Sequence, residues 1–323
     1  MTARRDSLTI LIPSLNDWAA LQLLLPGIDR VLATSAWSVS VLIVDDGSTD
    51  AVPEDWPGQN FTAIQSIEIL HLRCNLGHQR AIALGLYHVH EFGDADAVIV
   101  MDGDGQDRPQ DLPALLREFE KAGRRDVIFA ARSKRMESLL FQGFYRAYQL
   151  VHRMLTGIGV RVGNFSAIPR GLLVRLVASP DLWNHYAAAV FRARLPRRLI
   201  PLDRGARLQG HSKMNFVSLL THGLSAISVF SDQVSARLLT ASAAFSVFAL
   251  AAICASGVIP GWTPQTTAWL IGLMLQALTF AILFAFLIAS RRSSAGFILQ
   301  RDAPYFLLGK TSIQSKSPVR SAR

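Results

Sequence analysis

"VIVMDGDGQDRPQDL", residues 98–112, runs from an aliphatic stretch straight into Asp102, Asp104, Asp107 and Asp111. Residues 97–101 read as a buried strand, so the carboxylates gather where that strand ends. Crowded carboxylates repel one another unless a cation joins them or their pKa values rise. Asp102 and Asp104, with glycines at 103 and 105, can turn their oxygens towards one point, and Gln106 can add a carbonyl oxygen. Oxygen donors alone select a hard ion, Mg2+ or Mn2+, which keeps some waters and grips substrate phosphates. Asp107 and Asp111 have a simpler reading, service to the N-terminus of a helix opening at Pro109.

The same strand character recurs in "LTILI" (8–12), "VSVLIV" (39–44), "IEILHL" (67–72) and "DVIFAA" (126–131). Runs that are apolar on both faces suit a parallel sheet covered by helices on both sides. "DWAALQLLLPGIDRVL" and "GHQRAIALGLYHVHEF" have helical spacing and fill two of the intervals. An α/β, Rossmann-like doubly wound, mostly parallel sheet is expected, with ligands beyond the carboxyl ends of the strands. Asp45 and Asp46 close the second strand as Asp102 and Asp104 close the fourth. After residue 135 come basic helices, a strand-like "VGNFSAIP" and an Arg-rich segment.

Three rival sites fail on spacing. An EF-hand counted from Asp102 needs Gly at its sixth place and Glu at its twelfth, where Asp107 and Pro113 stand. A dinucleotide fold needs a glycine fingerprint after its first strand, and "PSLNDW" has no glycine. No GxxxxGK[ST] phosphate loop occurs anywhere in the chain.

The net charge of +9 is unevenly spread. Residues 1–126 hold ten Lys/Arg against nineteen Asp/Glu, residues 127–232 fifteen against four, and residues 233–323 eight against one. No basic stripe interleaved with aromatics points to nucleic acid. Mean hydropathy is +0.27 for a local reason. Leu238–Ser290, 53 residues, contains no Asp, Glu, Lys, Arg or His. One helix of that length would reach ~80 Å, against a hydrocarbon core of roughly 30 Å. Two crossings are expected, about 238–256 and 268–289, broken at "GVIPGWTPQTT" (257–267). The uncharged loop and basic flanks put both termini and the sheet domain in the cytoplasm, facing anionic membrane lipids.

"MNFVSLLTHGLSAISVF" (214–230) reads as an amphipathic helix on the membrane face. The expected organisation is a sheet domain over 1–213, an interfacial segment over 214–234, the hairpin over 235–290 and a basic tail over 291–323, poorly ordered towards its end. Residues 1–17 have too short an apolar run for a signal peptide, and Cys74 and Cys254 imply no disulfide.

In order along the chain, these motifs resemble family 2 glycosyltransferases of the GT-A fold, in the branch of dolichol-phosphate mannose synthase and bacterial polyprenyl-phosphate glycosyltransferases. "LIPSLND" is similar to the opening P-x-Y-N-E and "VDDGSTD" (44–50) matches the second motif. "RCNLGHQRAIALGL" (73–86) resembles the R-N-x-G stretch, and "DGDGQDRPQ" looks like D-x-D-x-Q before a Pro-initiated helix. "GHSKMNF" (210–216) and "RDAPYFL" (301–307) resemble the segments flanking the membrane hairpin. Leu15 replaces the usual Tyr, Asp17 the usual Glu, and Asn164 stands where many relatives carry Asp.

The resemblance implies an inverting transfer from a nucleoside diphosphate sugar. Pro13, Asp17, Asp45, Asp46, Asn75 and Gly77 would hold the donor with Asp102. Asp102, Asp104 and Gln106 would hold Mg2+ or Mn2+ on its diphosphate, Asp104 being catalytic. A lipid-phosphate acceptor would meet a basic sleeve of Arg132, Arg135, Arg204, Arg207 and Lys213, where bidentate arginines suit phosphate. A hydroxyl acceptor would instead need a base, for which Asp181 and His185 are available. A nucleotide-sugar-binding membrane protein without turnover stays open as a third reading. Homo-oligomers through the membrane helices are a further expectation.

Overall fold

The computed structural model describes residues 6–58, 60–132, 149–157, 162–209, 216–259, 261–293 and 297–314. They form two compact units, one of the described residues within 1–137, 161–229 and 297–323, the other of those within 138–160 and 230–296.

The first unit is built on β1 (Ser7–Ser14), α1 (Trp18–Leu32), β2 (Ser38–Asp45), β3 (Ile64–Leu72), α2 (His78–Phe92) and β4 (Ala97–Val100). There follow α3 (Leu112–Lys121), β5 (Val127–Arg132), β6 (Val162–Pro169), α4 (Arg170–Val177), α5 (Tyr186–Arg192), β7 (Arg197–Leu202), α6 (Phe216–Ser228) and a last strand, β8 (Leu307–Gln314). The sheet order is β7-β5-β6-β4-β1-β2-β3-β8. All neighbours from β4 to β3 pair in parallel, as do β5 and β7. Only β6 and β8 run antiparallel to their partners.

The central strands are buried on both faces because helices cover each side, as their unbroken aliphatic runs require. α3 shows the helical counterpart, burying Leu112, Leu115, Leu116 and Phe119 along one stripe. Pro13 lacks an N–H and comes after the β1–β4 ladder has ended at Leu11 and Val100. The ladder with β2 continues to Ser14 and Asp45, so β1 and β2 release their chains at the same level.

Asp29 of α1 anchors the start of β3. Its carboxylate accepts the N–H groups of Thr62, Ala63 and Ile64 at 2.7–3.0 Å, and the Thr62 hydroxyl at 3.0 Å. Partial burial opposes its ionisation, yet the amides of Ile64, Thr62 and Ala63 together hold its pKa below the ordinary carboxylate value. Asp29→Ala is expected to cost on the order of 2–3 kcal/mol at neutral pH, since hydrogen bonds to a charged group carry that much. A depressed carboxyl stabilises above the unfolded pKa of about 3.9 and loses that effect as pH falls through the folded value. The gap in thermal midpoint between wild type and variant should therefore close in acid; equal midpoints at pH 7 would remove the anchor.

Residues 307–314, which the sequence reading placed in the basic tail without assigning a strand, form β8 on the edge of the sheet against β3, and the end of the tail, 315–323, lies outside the described residues. The second unit contains α7 (Ser231–Cys254) and α8 (Pro264–Ser293). α7 starts seven residues before the uncharged run, with Asp232 in its first turn, where the helix dipole favours a carboxylate. Thr263 accepts the Thr266 N–H ahead of α8, with Pro264 at its first position. Residues 231–254 and 264–288 are long and apolar enough to cross a membrane, at about 36 Å each, and only 6% of either apolar window is buried. Val247, Phe248, Phe280 and Phe286 are all more than 60% exposed. Helices apolar all round call for an apolar solvent.

Candidate active site

The turns that follow β1, β2 and β4 converge at the carboxyl edge of the sheet. Asn16 joins the first two. It takes a left-handed backbone (φ 52°), which Asn tolerates better than most residues. Its Oδ1 accepts the N–H groups of Thr49 (2.9 Å) and Asp50 (3.1 Å), and its own N–H donates to Ser48 Oγ at 2.9 Å. Asp17 then opens α1 as its N-cap.

Gly47 (φ +73°) lets the chain at Cys74 and Asn75 lie against this turn, since a Cβ there would sit 2.8 Å from Asn75 N. Asp46 is buried, and its two oxygens accept the N–H groups of Leu76 (2.7 Å) and Gly77 (2.8 Å). Burial pushes the Asp46 carboxyl above its ordinary pKa against the pull of those amides. The "RCNLG" loop thus hangs from Asp46 at the end of β2, which sets Leu76 and Gly77 against that carboxylate.

The Asp-rich turn is folded by its own members. Asp107 Oδ2 accepts the Asp102 N–H (2.8 Å), and Asp104 Oδ1 accepts the Gln106 N–H (2.9 Å). Asp111 makes a two-point pair with Arg108 at 2.8 and 2.9 Å and no side-chain cap on α3. Asp111 stands at the N-cap of α3, in the helix-start position that the sequence reading gave it, but its carboxylate is on the Arg108 guanidinium and not on a backbone N–H.

Residues 203–208 lie across this turn. Gly205 N–H donates to Gln106 O (2.8 Å) and Leu208 N–H to Asp104 O (2.9 Å). Gly105 (φ +80°) permits the approach, because a Cβ there would lie 2.3 Å from Leu208 Cγ. Arg207 Nη2 stands 2.9 Å from Asp104 Oδ2. Arg204 shares a small cavity with Gln106, Asp107, Arg108, Asp111 and Asp203. On the other side, His78 Nε2 is 3.2 Å from Asp102 Oδ1. A buried chain of amides backs it: Tyr186 N–H donates to Gln79 Oε1 (2.8 Å), which turns Gln79 Nε2 to Asn164 Oδ1 (3.2 Å) and leaves Asn164 Nδ2 facing His78 Nε2 at 2.9 Å.

The remaining candidates belong to other elements or lie outside the described residues. Arg132 ends β5 opposite Leu202. Arg135 and Lys213, with most of "GHSKMNF", lie outside the described residues. Asp181 stands on a turn at Pro180–Trp183, its carboxylate 4.0 Å from Arg192 Nε. His185 is buried and caps α5, its Nδ1 accepting the Ala188 N–H at a long 3.4 Å. Asn16, Gln79 and His71 were not singled out from sequence; a left-handed Asn between two motifs is the one signal that could have flagged any of them.

Two carboxylates on one turn, each facing a nitrogen group, make a site that attracts positive charge. Among the described residues no three His, Cys, Asp or Glu side chains surround one point. Mg2+ is ordinarily held through one or two carboxylates, with the rest of its shell left to waters and substrate phosphates. Asp102 and Asp104 supply carboxylate oxygens of the kind such an ion takes, and Arg207 stands on Asp104 Oδ2.

The chain matches the model of Glycosyl transferase family 2 over residues 9–176. It belongs to that family, and its mostly parallel mixed sheet is a GT-A domain with two long apolar helices towards the C-terminus. It is similar to an uncharacterized glycosyltransferase of Synechocystis sp., 24% identical over 227 residues and covering 69% of each chain. It is also similar to undecaprenyl-phosphate 4-deoxy-4-formamido-L-arabinose transferase of Salmonella choleraesuis, 25% identical over 296 residues, or 86% of this chain and 83% of that one. Glucosyl-3-phosphoglycerate synthase from Mycobacterium tuberculosis, in complex with UDP, aligns with a TM-score of 0.49 and 15% identity over 71% of this chain and 80% of that one.

Proposed function

We propose that this glycosyltransferase moves one sugar, with inversion, from a nucleoside diphosphate sugar to a polyprenyl phosphate at the cytoplasmic face of a membrane. One observation carries the reading: the backbone of 205–208 is bonded across the Asp102–Gln106 turn, which sets basic side chains directly beside carboxylates suited to a metal-bound diphosphate. A relative of similar length named for undecaprenyl phosphate supports the acceptor class.

Pro13, Asp17 and Asp45 hold the nucleoside, while Asp46 keeps the Asn75–Gly77 loop in position for the donor. Asp102, Asp104 and Gln106 hold the ion, Mg2+ or Mn2+, which when bound neutralises charge developing on the departing diphosphate. Arg204 and Arg207, with Arg132, Arg135 and Lys213, receive the acceptor phosphate. Its oxygen is ionised near neutral pH and needs no base; it bonds to the anomeric carbon as the donor's C–O bond breaks, the electron pair leaving with the nucleoside diphosphate.

Purified full-length protein should transfer labelled sugar to undecaprenyl phosphate and not to undecaprenol, with little change on Asp181→Asn. Transfer to the alcohol, with a large loss in Asp181→Asn, would replace this reading by a hydroxyl acceptor. Tight nucleotide binding without turnover on either acceptor would leave a binding protein.

α7 and α8 cross the membrane with both basic flanks in the cytoplasm. In a Cys254→Ser background, Trp262→Cys should react with an impermeant maleimide in intact cells, whereas the exposed Cys74 should react only after permeabilisation. The opposite pattern would invert the orientation.

A further inference from the structure

Asp45 is buried at the end of β2 and both its oxygens are engaged. Oδ1 accepts the Ser48 N–H at 2.9 Å, and Oδ2 lies 2.9 Å from Nδ1 of His71 on β3. An ionised carboxylate only accepts, so His71 Nδ1 carries the hydrogen and donates it. The other ring nitrogen, Nε2, is 3.1 Å from Thr311 Oγ1 on β8. The imidazole is therefore held at both ends, between an aspartate of the donor site and a residue that follows both long apolar helices in the chain.

The register explains the contact. Thr311 pairs with Ile69 and Gly309 with His71, so Thr311 is the diagonal neighbour of His71 on the same sheet face. The segment before Thr311 holds the next stretch of chain. Arg73 N–H donates to Phe306 O (2.8 Å) and Arg73 Nε to Leu307 O (3.1 Å), just ahead of the loop whose amides bind Asp46. Lys310 reaches Glu68 at 3.4 Å. Side chain and backbone independently tie 306–311 to the rim of the proposed nucleoside pocket.

We propose that His71 is a positioning residue for the donor nucleoside and that Thr311 fixes its ring, making the strand beyond the apolar hairpin part of the nucleotide site. A carboxylate held by one donor on each oxygen cannot rotate, so its remaining lone pairs keep a set direction for nucleoside N–H or hydroxyl groups. The inference rests on the reading of Asp45 as a nucleoside contact.

The test is titration of the full-length protein with UDP, GDP and inorganic pyrophosphate. His71→Leu should weaken the preferred nucleoside diphosphate about tenfold, the scale on which orienting partners act, and leave pyrophosphate unchanged. Thr311→Val should weaken it less, and Thr311→Ser should restore wild-type binding. Neither His71→Leu nor Thr311→Val should add to the loss in an Asp45→Ala background. Wild-type nucleotide binding by folded His71→Leu and Thr311→Val, with Asp45→Ala impaired, overturns the positioning role. An equal loss of pyrophosphate binding also overturns it, because the substitution would then act on the fold. Unimpaired binding by Asp45→Ala removes the underlying reading of Asp45 itself.

Discussion

Replacing Asp104 by Ala should lower sugar transfer by about a hundredfold to a thousandfold. Support of a departing diphosphate by a bound divalent ion contributes several kcal/mol, and each 1.36 kcal/mol is a factor of ten in rate. Asp104 stands at the centre of the cluster: one oxygen orders the turn through the Gln106 N–H, the other faces Arg207, and its carbonyl holds Leu208. Asp104→Asn keeps the shape of the turn and should lose nearly as much, because the amide oxygen carries no full charge. Asp111→Asn, which loosens only the pair with Arg108, should change transfer little. The measurement is the initial rate of labelled-sugar incorporation at saturating metal, with the metal-dependent rise in thermal midpoint as a second readout. Transfer by Asp104→Asn at the wild-type rate would detach the Asp-rich turn from the chemistry.

That turn was legible because its signal is local: an aliphatic strand, then carboxylates and glycines at fixed spacing. The inner strands were legible for the same reason, since burial on both faces leaves unbroken apolar runs such as "VSVLIV". β8 was hidden. Its sequence, LLGKTSIQ, is half polar because an edge strand turns much of its surface to water, and its partner β3 is more than 230 residues away. The same distance hid the supporting polar residues. Asn16 meets Thr49 across 33 positions, Gln79 meets Asn164 across 85, and His71 meets Thr311 across 240. No spacing rule reaches that far. The aspartates were grouped by the ends of strands on which they sit, but only the contacts separate Asp46, whose oxygens hold a loop, from Asp45, whose oxygens meet Ser48 and His71.

Removing the Arg207 side chain should make a divalent ion bind more tightly in the absence of nucleotide while transfer falls. The Arg207 guanidinium is 2.9 Å from the Asp104 oxygen on which the ion reading depends, and both groups are mostly buried. A charge-assisted hydrogen bond of this kind contributes about 1.5–3 kcal/mol, so an ion that takes the oxygen must first displace it. Arg207→Ala leaves Asp104 without that counter-charge, and Mn2+ affinity should rise at least about tenfold on the scale of 1.36 kcal/mol per decade. Arg207→Lys retains a cation without the planar fork and should fall between the two. Transfer should decline in both variants, since a guanidinium released from Asp104 when the ion binds is the group best suited to take the acceptor phosphate in a bidentate grip. Titration of Mn2+ into nucleotide-free protein checks the first half and the rate with undecaprenyl phosphate the second. An Arg207→Ala protein that binds Mn2+ no better than wild type would mean that ion and arginine do not share Asp104, and that the ion, if bound, is held through Asp102 on the side facing His78.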